Sequence, residues 1–358
     1  MIRILLPDKF HLYPEIDSIY SFLSQKILDS LGGSNFICMY KEEQVIFDSQ
    51  ESIKNYLLAK DFYDYSFTEK DNFWLYFSKI HGNTHISSIL NKVADSAEAK
   101  TFYKKCDPKD YEVFLKEQMT KDRKITVSTV KESIPGGLKL ISNLFEYEFL
   151  SSEDRHKILT LMDVPVCPYC NANYTVSYSS NERRRTTADL DHFFIKSKYP
   201  EYSLCLYNFV PSCPVCNRTI KGTEDMSNKT HIYPHKESFN GRASFEIVNL
   251  EDVLLDQSKQ VKLGLHYINE ERTKNSATLF EILERYEFHQ NYAKELLDKV
   301  VIYNESYAVE LQKLGIFHEN ENIKTLIFGT ALTEDKYARK SLGKLKMDLL
   351  TQLGIFKV

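Results

Sequence analysis

Two pairs of closely spaced cysteines constrain the fold of this chain more than any other feature of its sequence. Cys167 and Cys170 form one C-x-x-C pair, Cys213 and Cys216 form a second, and 42 residues lie between the two pairs. A two-residue gap lets both thiolates of a pair reach the same ion, and two pairs supply the four sulfur ligands that structural Zn²⁺ prefers. Because four sulfurs leave no open coordination position, the sequence predicts a structural zinc that joins the ends of the intervening segment.

Chance pairing, a redox motif and disulfide bonds are three other interpretations of these cysteines. A thioredoxin-like C-x-x-C occurs singly at the start of a helix and needs no matching pair downstream. The apolar run at residues 1–7 is too short for a signal peptide, and no uncharged stretch approaches the roughly 20 residues of a membrane span. We therefore expect a cytoplasmic protein with no membrane partner, in a reducing compartment that disfavours disulfides.

Length and composition place the chain among globular proteins and limit its partners. Its 358 residues are enough for two or three domains, and its 12 glycines and 10 prolines exclude a collagen-like or low-complexity class. The 46 basic residues against 50 acidic ones leave a net charge of −4. Without a basic field over the whole chain, any nucleic-acid site has to be local.

The spacing of apolar residues predicts an α+β fold that is mostly helical. Residues 14–28, 296–314 and 333–353 have apolar side chains at helical spacing, whereas 33–47 is typical of short strands and turns. We expect the apolar residues of the 296–314 segment to form one buried face.

Punctuation by Pro135 and the two glycines after it predicts a domain boundary. The N-terminal domain, residues 1–135, is expected to be mixed to mostly helical and has no assigned role. The central domain, residues 136–260, contains the cysteine pairs. Residues 261–358 are expected to form a helical region that packs on the central domain.

The segment between and after the cysteine pairs predicts two short strands followed by a helix. Alternating side chains favour a strand at Leu190–Phe194, and an apolar run favours a second at Leu206–Val210. Residues Cys213–Lys221 suit a short helix with Gly222 as its C-cap. Four polar residues follow one another along this unit, in the order Asp191, His192, Asn208 and Asn217.

This unit resembles the ββα-metal core of the HNH endonuclease family, also called His-Me finger nucleases, and the cysteine pairs resemble its zinc-knuckle branch. The resemblance implies that Asp191 and Asn217 hold one catalytic divalent ion, Mg²⁺ or a similar ion. It makes His192 the general base, and Asn208 the residue that holds the loop and the histidine in place. The expected function is metal-dependent hydrolysis of phosphodiester bonds in DNA.

The chemistry of phosphodiester hydrolysis suits these residue types. A neutral histidine, with a pKa near ~6.5, can deprotonate water at cellular pH, and a divalent ion stabilises charge that grows on the phosphate. One carboxylate and one amide oxygen form a hard oxygen site with positions left for water and phosphate. Since neighbouring strand residues point to opposite faces, Asp191 and His192 require a distorted strand or a histidine that approaches from the side of the water.

Other interpretations of the four residues stay open. Each of them taken alone has a structural explanation, with Asp191 capping a turn, His192 packed in a core, and the two asparagines in turns. The ordered set of four inside the frame of cysteines favours a nuclease core. The alternatives are an HNH nuclease that cleaves RNA and a non-catalytic zinc module that binds nucleic acid or a partner protein.

Local charge favours a nucleic-acid site in this part of the chain. Residues 181–222 contain seven basic and four acidic residues. Since phosphate contacts come from lysine and arginine side chains near the site, we expect such contacts from Lys196, Lys198, Arg218 and Lys221. The arginines at 183–185 rank behind these four.

The C-terminal segments Ile302–Tyr307 and Ser341–Asp348 are similar to helical parts of longer bacterial HNH proteins. Some of those resemble the nuclease subunits of Septu and retron-type anti-phage systems, which work beside an ATPase. The resemblance therefore implies a role in antiviral defence and an ATPase as a partner protein. It covers the chain from about residue 139 onward, and residues 1–130 carry no such likeness.

Overall fold

The computed structural model describes residues 1–66 and 145–356, apart from residues 8, 32–35, 42, 182, 197–198, 269–270, 304–306, 308–309, 311–312, 315–326 and 330–332. The expected boundary near Pro135 and the predicted phosphate contact Lys198 lie outside the described residues. The described residues form helices and small antiparallel sheets, which confirms a mixed α and β fold. No helix among them is both long and apolar enough to cross a bilayer.

The chain divides into two compact units that interleave in sequence. The first unit comprises residues 1–6, 159–191 and 210–358, and the second comprises residues 7–158 and 192–209. The predicted boundaries at 135 and 260 remain predictions.

The second unit contains helix α1 (Pro14–Leu31), which confirms the predicted amphipathic helix. Proline suits the first helical position, where its missing N–H costs nothing, and Glu15 and Asp17 complement the helix dipole in the first turn. The apolar residues that predicted the helix are all buried, namely Ile16, Ile19, Tyr20, Leu23 and Ile27. Their spacing by three or four residues is therefore the spacing of a core-facing stripe.

A small antiparallel sheet follows α1. Strands β1 (Phe36–Tyr40) and β2 (Glu43–Phe47) form a hairpin, and β3 (Tyr65–Ser66) pairs with the other edge of β1. Helix α2 (Gln50–Leu57) begins with a capping box, in which the side chains of Ser49 and Ser52 bond to each other's backbone N–H groups. These elements confirm the strands expected at 33–47.

Helix α3 (Ser152–Met162) precedes the first cysteine pair. Strands β4 (Ser177–Ser180) and β5 (Arg183–Thr186) then form a second hairpin. Strand β6 (Asp189–His192) pairs with β7 (Phe209–Ser212) in a two-stranded sheet. All but one residue of each of these last two strands belongs to the first unit.

The predicted strand, strand and helix unit is present with changes. The first strand, expected at Leu190–Phe194, ends at His192. The strand expected at Leu206–Val210 is wrong in its first half, because residues 206–208 form a 3-10 turn and the strand begins at Phe209. The helix is confirmed as a π-helix, Val215–Lys221, that ends at Gly222 with φ +49°, a left-handed conformation that glycine adopts without a Cβ penalty.

A third sheet and the C-terminal helices complete the first unit. Strands β8 (Ala243–Ile247) and β9 (Leu263–Tyr267) are antiparallel, and α4 (Leu250–Leu255) lies between them in sequence. The remaining helices are α5 (Glu271–Leu279), α6 (Ile282–Tyr286), α7 (Gln290–Ile302), α8 (Glu334–Tyr337) and α9 (Gly343–Gln352).

Two expectations for the C-terminal helices are wrong in part. In the segment at 296–314, Leu296 is buried, but Tyr307 and Leu314 are exposed, so the apolar positions do not share one buried face. The single helix expected at 333–353 is interrupted between α8 and α9, where Leu342 has φ +56°. The chain turns so tightly there that only glycine fits, because a Cβ at position 343 would lie 2.2 Å from the carbonyl oxygen of Tyr337.

Candidate functional site

The four cysteines of the two pairs form one buried cluster in the first unit. The sulfur atoms of Cys167, Cys170, Cys213 and Cys216 all lie within 4.8 Å of one another. A tetrahedral Zn²⁺ with Zn–S bonds of ~2.3 Å separates its sulfurs by about 3.8 Å, so only a small contraction closes the cluster around an ion. These four buried cysteines could bind a metal such as zinc, as the sequence predicts.

The first cysteine pair sits in a tight backbone loop. The Cys167 N–H donates to the Asn173 carbonyl at 2.9 Å, and the Asn171 N–H donates to the Cys167 carbonyl at 2.8 Å. Asn171 has φ +51°, a left-handed conformation that asparagine tolerates better than most residues. Its side-chain oxygen accepts from the backbone N–H of Lys344 at the start of α9, at 2.8 Å. A helix remote in sequence therefore supports this loop.

The second cysteine pair spans the junction between β7 and the π-helix. The Asn217 N–H donates to the Cys213 carbonyl at 3.0 Å, which begins the helix directly over the pair. The Cys213 sulfur accepts from the Asn173 side-chain amide at 3.3 Å and from the Cys216 N–H at 3.5 Å. Both donors stabilise negative charge on that sulfur, as ligation of a cation requires.

A cation also contacts the cluster. The Arg285 guanidinium of α6 donates to the Cys216 sulfur at 3.2 Å. A site with four thiolates and one Zn²⁺ carries two net negative charges, and a neighbouring arginine offsets one of them. The next residue, Tyr286, donates from its hydroxyl to the Cys170 carbonyl at 2.6 Å. Helix α6 therefore supports both cysteine pairs.

The cysteine thiols do not ionise alike. The largest effect on two of them is a hydrogen bond with the Cys167 thiol, which lowers the pKa of Cys170 well below its ordinary value and lowers the pKa of Cys213 to about 6. Burial raises the pKa of Cys167 well above its ordinary value. A divalent cation would let all four act as thiolate ligands.

Asp191 on β6 lies close to a lysine and a tyrosine. The Lys221 ammonium at the end of the π-helix is 2.8 Å from Asp191 Oδ1, and the Tyr169 hydroxyl donates to Asp191 Oδ2 at 2.6 Å. The side chains of Lys221 and Asp191 are 1% and 5% exposed. Tyr169 lies inside the first cysteine pair, and its ring stacks on Phe280 with centroids 4.3 Å apart. The aspartate is therefore coupled to the cysteine loop.

Asn217 contacts Asp189 and not Asp191, the residue with which the resemblance groups it as a metal ligand. Its side-chain amide donates to Asp189 Oδ2 at 3.1 Å, and the Arg218 Nε donates to the same oxygen at 2.7 Å. Asp189 and Asp191 are two residues apart on β6, so they lie on the same face of the strand. This part of the first unit therefore presents two carboxylates and one amide.

His192 is 8% exposed and belongs to the second unit. Its Nε2 lies 2.8 Å from the Ser203 carbonyl oxygen. Since a carbonyl can only accept, Nε2 carries the proton of the neutral ring, and Nδ1 is the basic nitrogen. The ring packs edge-on against Tyr147 and Phe209, with centroids 4.8 Å and 5.2 Å away. These contacts fix the orientation of the imidazole.

Asn208 is fully buried and bonds to the loop that follows His192. Its side-chain oxygen accepts from the Phe194 N–H at 2.8 Å, and its amide donates to the carbonyls of Phe194 and Tyr202 at 3.0 Å and 2.9 Å. One side chain thus holds both backbone groups of a residue two positions after the histidine.

The predicted phosphate contacts have different environments. Lys196 is exposed, with its ammonium 4.9 Å from the Tyr147 ring centroid and 3.7 Å from a Glu148 carboxylate oxygen. The Arg218 side chain is 71% exposed while it pairs with Asp189. Lys221 is 1% exposed and pairs with Asp191, which is not the environment of a surface phosphate contact.

Several residues around these sites have no local signal in the sequence. Tyr169, Asp189 and Arg285 reach their partners across 22, 28 and 69 residues, and no short motif links them. The position of Asp189 two residues before Asp191 was the one available hint, because strand alternation places both on one face.

No family model, curated protein or solved structure matches this chain. The four-cysteine cluster and the polar side chains described above are therefore the basis for a functional assignment.

Proposed function

We propose that this protein is a metal-dependent endonuclease of the HNH type that hydrolyses phosphodiester bonds in DNA. The observation that carries the proposal is the clamp made by Asn208, whose buried side chain bonds to both backbone groups of Phe194, two residues after His192. A fully buried asparagine bonds its amide whatever its role, so the support comes from what the clamp holds, which is the loop directly after the proposed base.

His192 is the general base in this proposal. The Ser203 carbonyl holds the proton on Nε2, so Nδ1 accepts the proton of the attacking water. The aromatic contacts with Tyr147 and Phe209 keep the ring in one orientation, which removes reorganisation from the proton transfer.

The oxygen atoms near β6 fit a hard divalent cation such as Mg²⁺ by their chemistry. Asp191 and Asn217 are the proposed ligands, and Asp189 is a third oxygen donor on the same strand face. A carboxylate offers about four acceptor positions, so the contacts of Asp191 with Lys221 and Tyr169 do not exhaust it. When bound, such an ion would offset negative charge on the phosphate and on the leaving oxygen.

The four cysteines hold a structural zinc in this proposal. The zinc joins the loop that contains Tyr169 to the first turn of the π-helix that contains Asn217. Since Tyr169 bonds to Asp191, the zinc holds the proposed ligands in place without taking part in the chemistry.

Lys196 contributes a phosphate contact beside the base. Its ammonium lies over the same Tyr147 ring that packs against His192. The expected ATPase partner and a role in antiviral defence complete the proposal, on the resemblance of the C-terminal segments.

A cleavage assay on supercoiled plasmid DNA tests the proposal. Wild-type protein should nick or linearise the plasmid with at least one of Mg²⁺, Mn²⁺ or Ni²⁺, and His192→Ala should not. His266→Ala is the matched control, because it removes an exposed histidine from β9. Both variants should keep one zinc per chain. Cleavage by His192→Ala at the wild-type rate would refute the proposed base.

A non-catalytic zinc module is the second candidate function. The pairing of Lys221 with Asp191, and of Asn217 with Asp189, favours it, because a buried ammonium already offsets the charge of Asp191. Under this alternative, the protein binds nucleic acid or a partner but cuts neither DNA nor RNA with any divalent ion, alone or beside an ATPase. Cleavage of RNA with intact DNA would instead indicate an HNH ribonuclease.

A further inference from the structure

The hairpin of β4 and β5 is a basic ribbon. Its arginines are exposed, so packing in a core does not explain why they are there. Seven of its eight strand residues are exposed, and three of them are the consecutive arginines 183–185. An isolated two-stranded hairpin is marginally stable in water, so local bonds have to hold it. The Asn181 turn residue has φ +48°, which suits a tight hairpin turn, and the Ser177 hydroxyl donates to the Thr186 hydroxyl at 3.0 Å.

The strand register places basic and aromatic side chains together. Tyr178 is directly opposite Arg185, and Ser180 is directly opposite Arg183. Directly opposed residues of an antiparallel pair lie on the same face, so one face carries two arginines and a tyrosine that is 52% exposed. Arg184 lies on the other face.

The charge of the ribbon contrasts with that of the chain. Residues 174–187 contain three arginines and one acidic residue, whereas the whole chain has a net charge of −4. Arginine forms paired hydrogen bonds with phosphate and stacks on planar groups. A two-stranded ribbon is also narrow enough to enter the major groove of DNA.

We infer that this arginine hairpin binds the phosphate backbone of duplex DNA through Arg183, Arg184 and Arg185. The inference deepens the proposed function and rests on it, since it assigns a DNA contact to residues other than the proposed base and metal ligands. Tyr178 stays beside the Arg183 and Arg185 pair and packs against the sugar or the groove wall.

Fluorescence anisotropy with a labelled 20-base-pair duplex tests the inference. The full chain is used with His192→Ala, so that no cutting disturbs the measurement. The test variant replaces Arg183, Arg184 and Arg185 with glutamine. The control replaces the exposed Lys259, Lys262 and Lys274 with glutamine, which removes the same charge from other surfaces of the first unit.

The salt dependence of binding gives the expected magnitude. Each lost phosphate contact should reduce the slope of log affinity against log salt by about 0.9, so the test variant should lose about 2 to 3 from the slope and about tenfold or more in affinity. The slope of the lysine control should change by less than a third of that amount. An arginine-to-lysine variant of the hairpin should keep most of the slope.

Several results would overturn the inference. They are equal slopes for the arginine and lysine variants, no duplex binding by the His192→Ala chain at 50 mM salt, and competition by polyglutamate as strong as that by unlabelled duplex. Failure of the proposed function is separate, because a chain that binds through the hairpin but never cuts would keep the inference and refute the nuclease. A protein that cuts DNA while its arginine and lysine variants show equal slopes would keep the nuclease and refute the inference.

Discussion

The buried pair of Lys221 and Asp191 gives a sharp prediction about stability. Their charged atoms are 2.8 Å apart, and with an effective dielectric constant of ~20 their attraction is about 6 kcal/mol. Much of that attraction offsets the cost of removing both charges from water. Lys221→Met deletes the ammonium and leaves the Asp191 carboxylate buried. We therefore expect the free energy of unfolding to fall by about 3 to 5 kcal/mol.

A double variant separates the ion pair from the loss of packing. Asp191→Asn removes the charge that Lys221→Met leaves behind while it keeps an acceptor for the Tyr169 hydroxyl. The double variant should therefore be more stable than Lys221→Met alone by about 2 kcal/mol or more. The exposed Lys262→Met is the control, and its effect should stay within about 0.5 kcal/mol.

Urea denaturation followed by far-UV circular dichroism measures these values on zinc-loaded protein. A loss of less than about 1 kcal/mol in Lys221→Met would contradict a buried ion pair, since breaking one costs several times more. A double variant that loses the sum of the Lys221→Met and Asp191→Asn effects would also contradict it, because the effects of independent sites add and those of a charge pair do not.

Three further predictions concern the metal cluster and a buried acid. Cys213→Ser should lower the zinc content well below one per chain by elemental analysis, whereas Cys205→Ala, a buried cysteine outside the cluster, should leave it unchanged; equal zinc in both would contradict the four-sulfur site. Arg285→Met should speed zinc loss to a chelator by about tenfold, and Arg285→Lys should partly restore the slow rate. Burial raises the pKa of Glu201 from 4.5 to about 7, so the folded chain holds a proton that the unfolded chain releases in this range. Stability should therefore fall by about 3 kcal/mol as the pH rises from 4.5 to 7, and Glu201→Gln should remove that loss in urea titrations at pH 5 and pH 8; an unchanged loss would contradict the burial of an ionisable group.

Local patterns in the sequence predicted the parts of the structure that depend on local chemistry. The C-x-x-C spacing predicted one four-sulfur cluster, because a two-residue gap admits few other uses when it occurs twice. The apolar stripe of α1 was equally direct, since five residues at helical spacing need a single buried face. Gly222 ends the π-helix as expected, because its φ of +49° suits glycine.

Contacts distant in sequence account for what the patterns missed. The apolar run at 206–208 is a buried 3-10 turn, and periodicity alone cannot distinguish a short buried strand from such a turn. The break between α8 and α9 depends on the close approach of Gly343 to the Tyr337 carbonyl. The partner of Asn217 is Asp189 because the side chains of the π-helix and β6 meet only in the folded unit.

Chemical rescue tests the central claim most directly. His192→Gly removes the proposed base and leaves a space beside Tyr147 and Phe209 for a small molecule. We expect that this variant does not cleave plasmid DNA, and that added imidazole restores cleavage with a pH dependence that follows the pKa of the added base. Cleavage by His192→Gly at the wild-type rate without imidazole would contradict it.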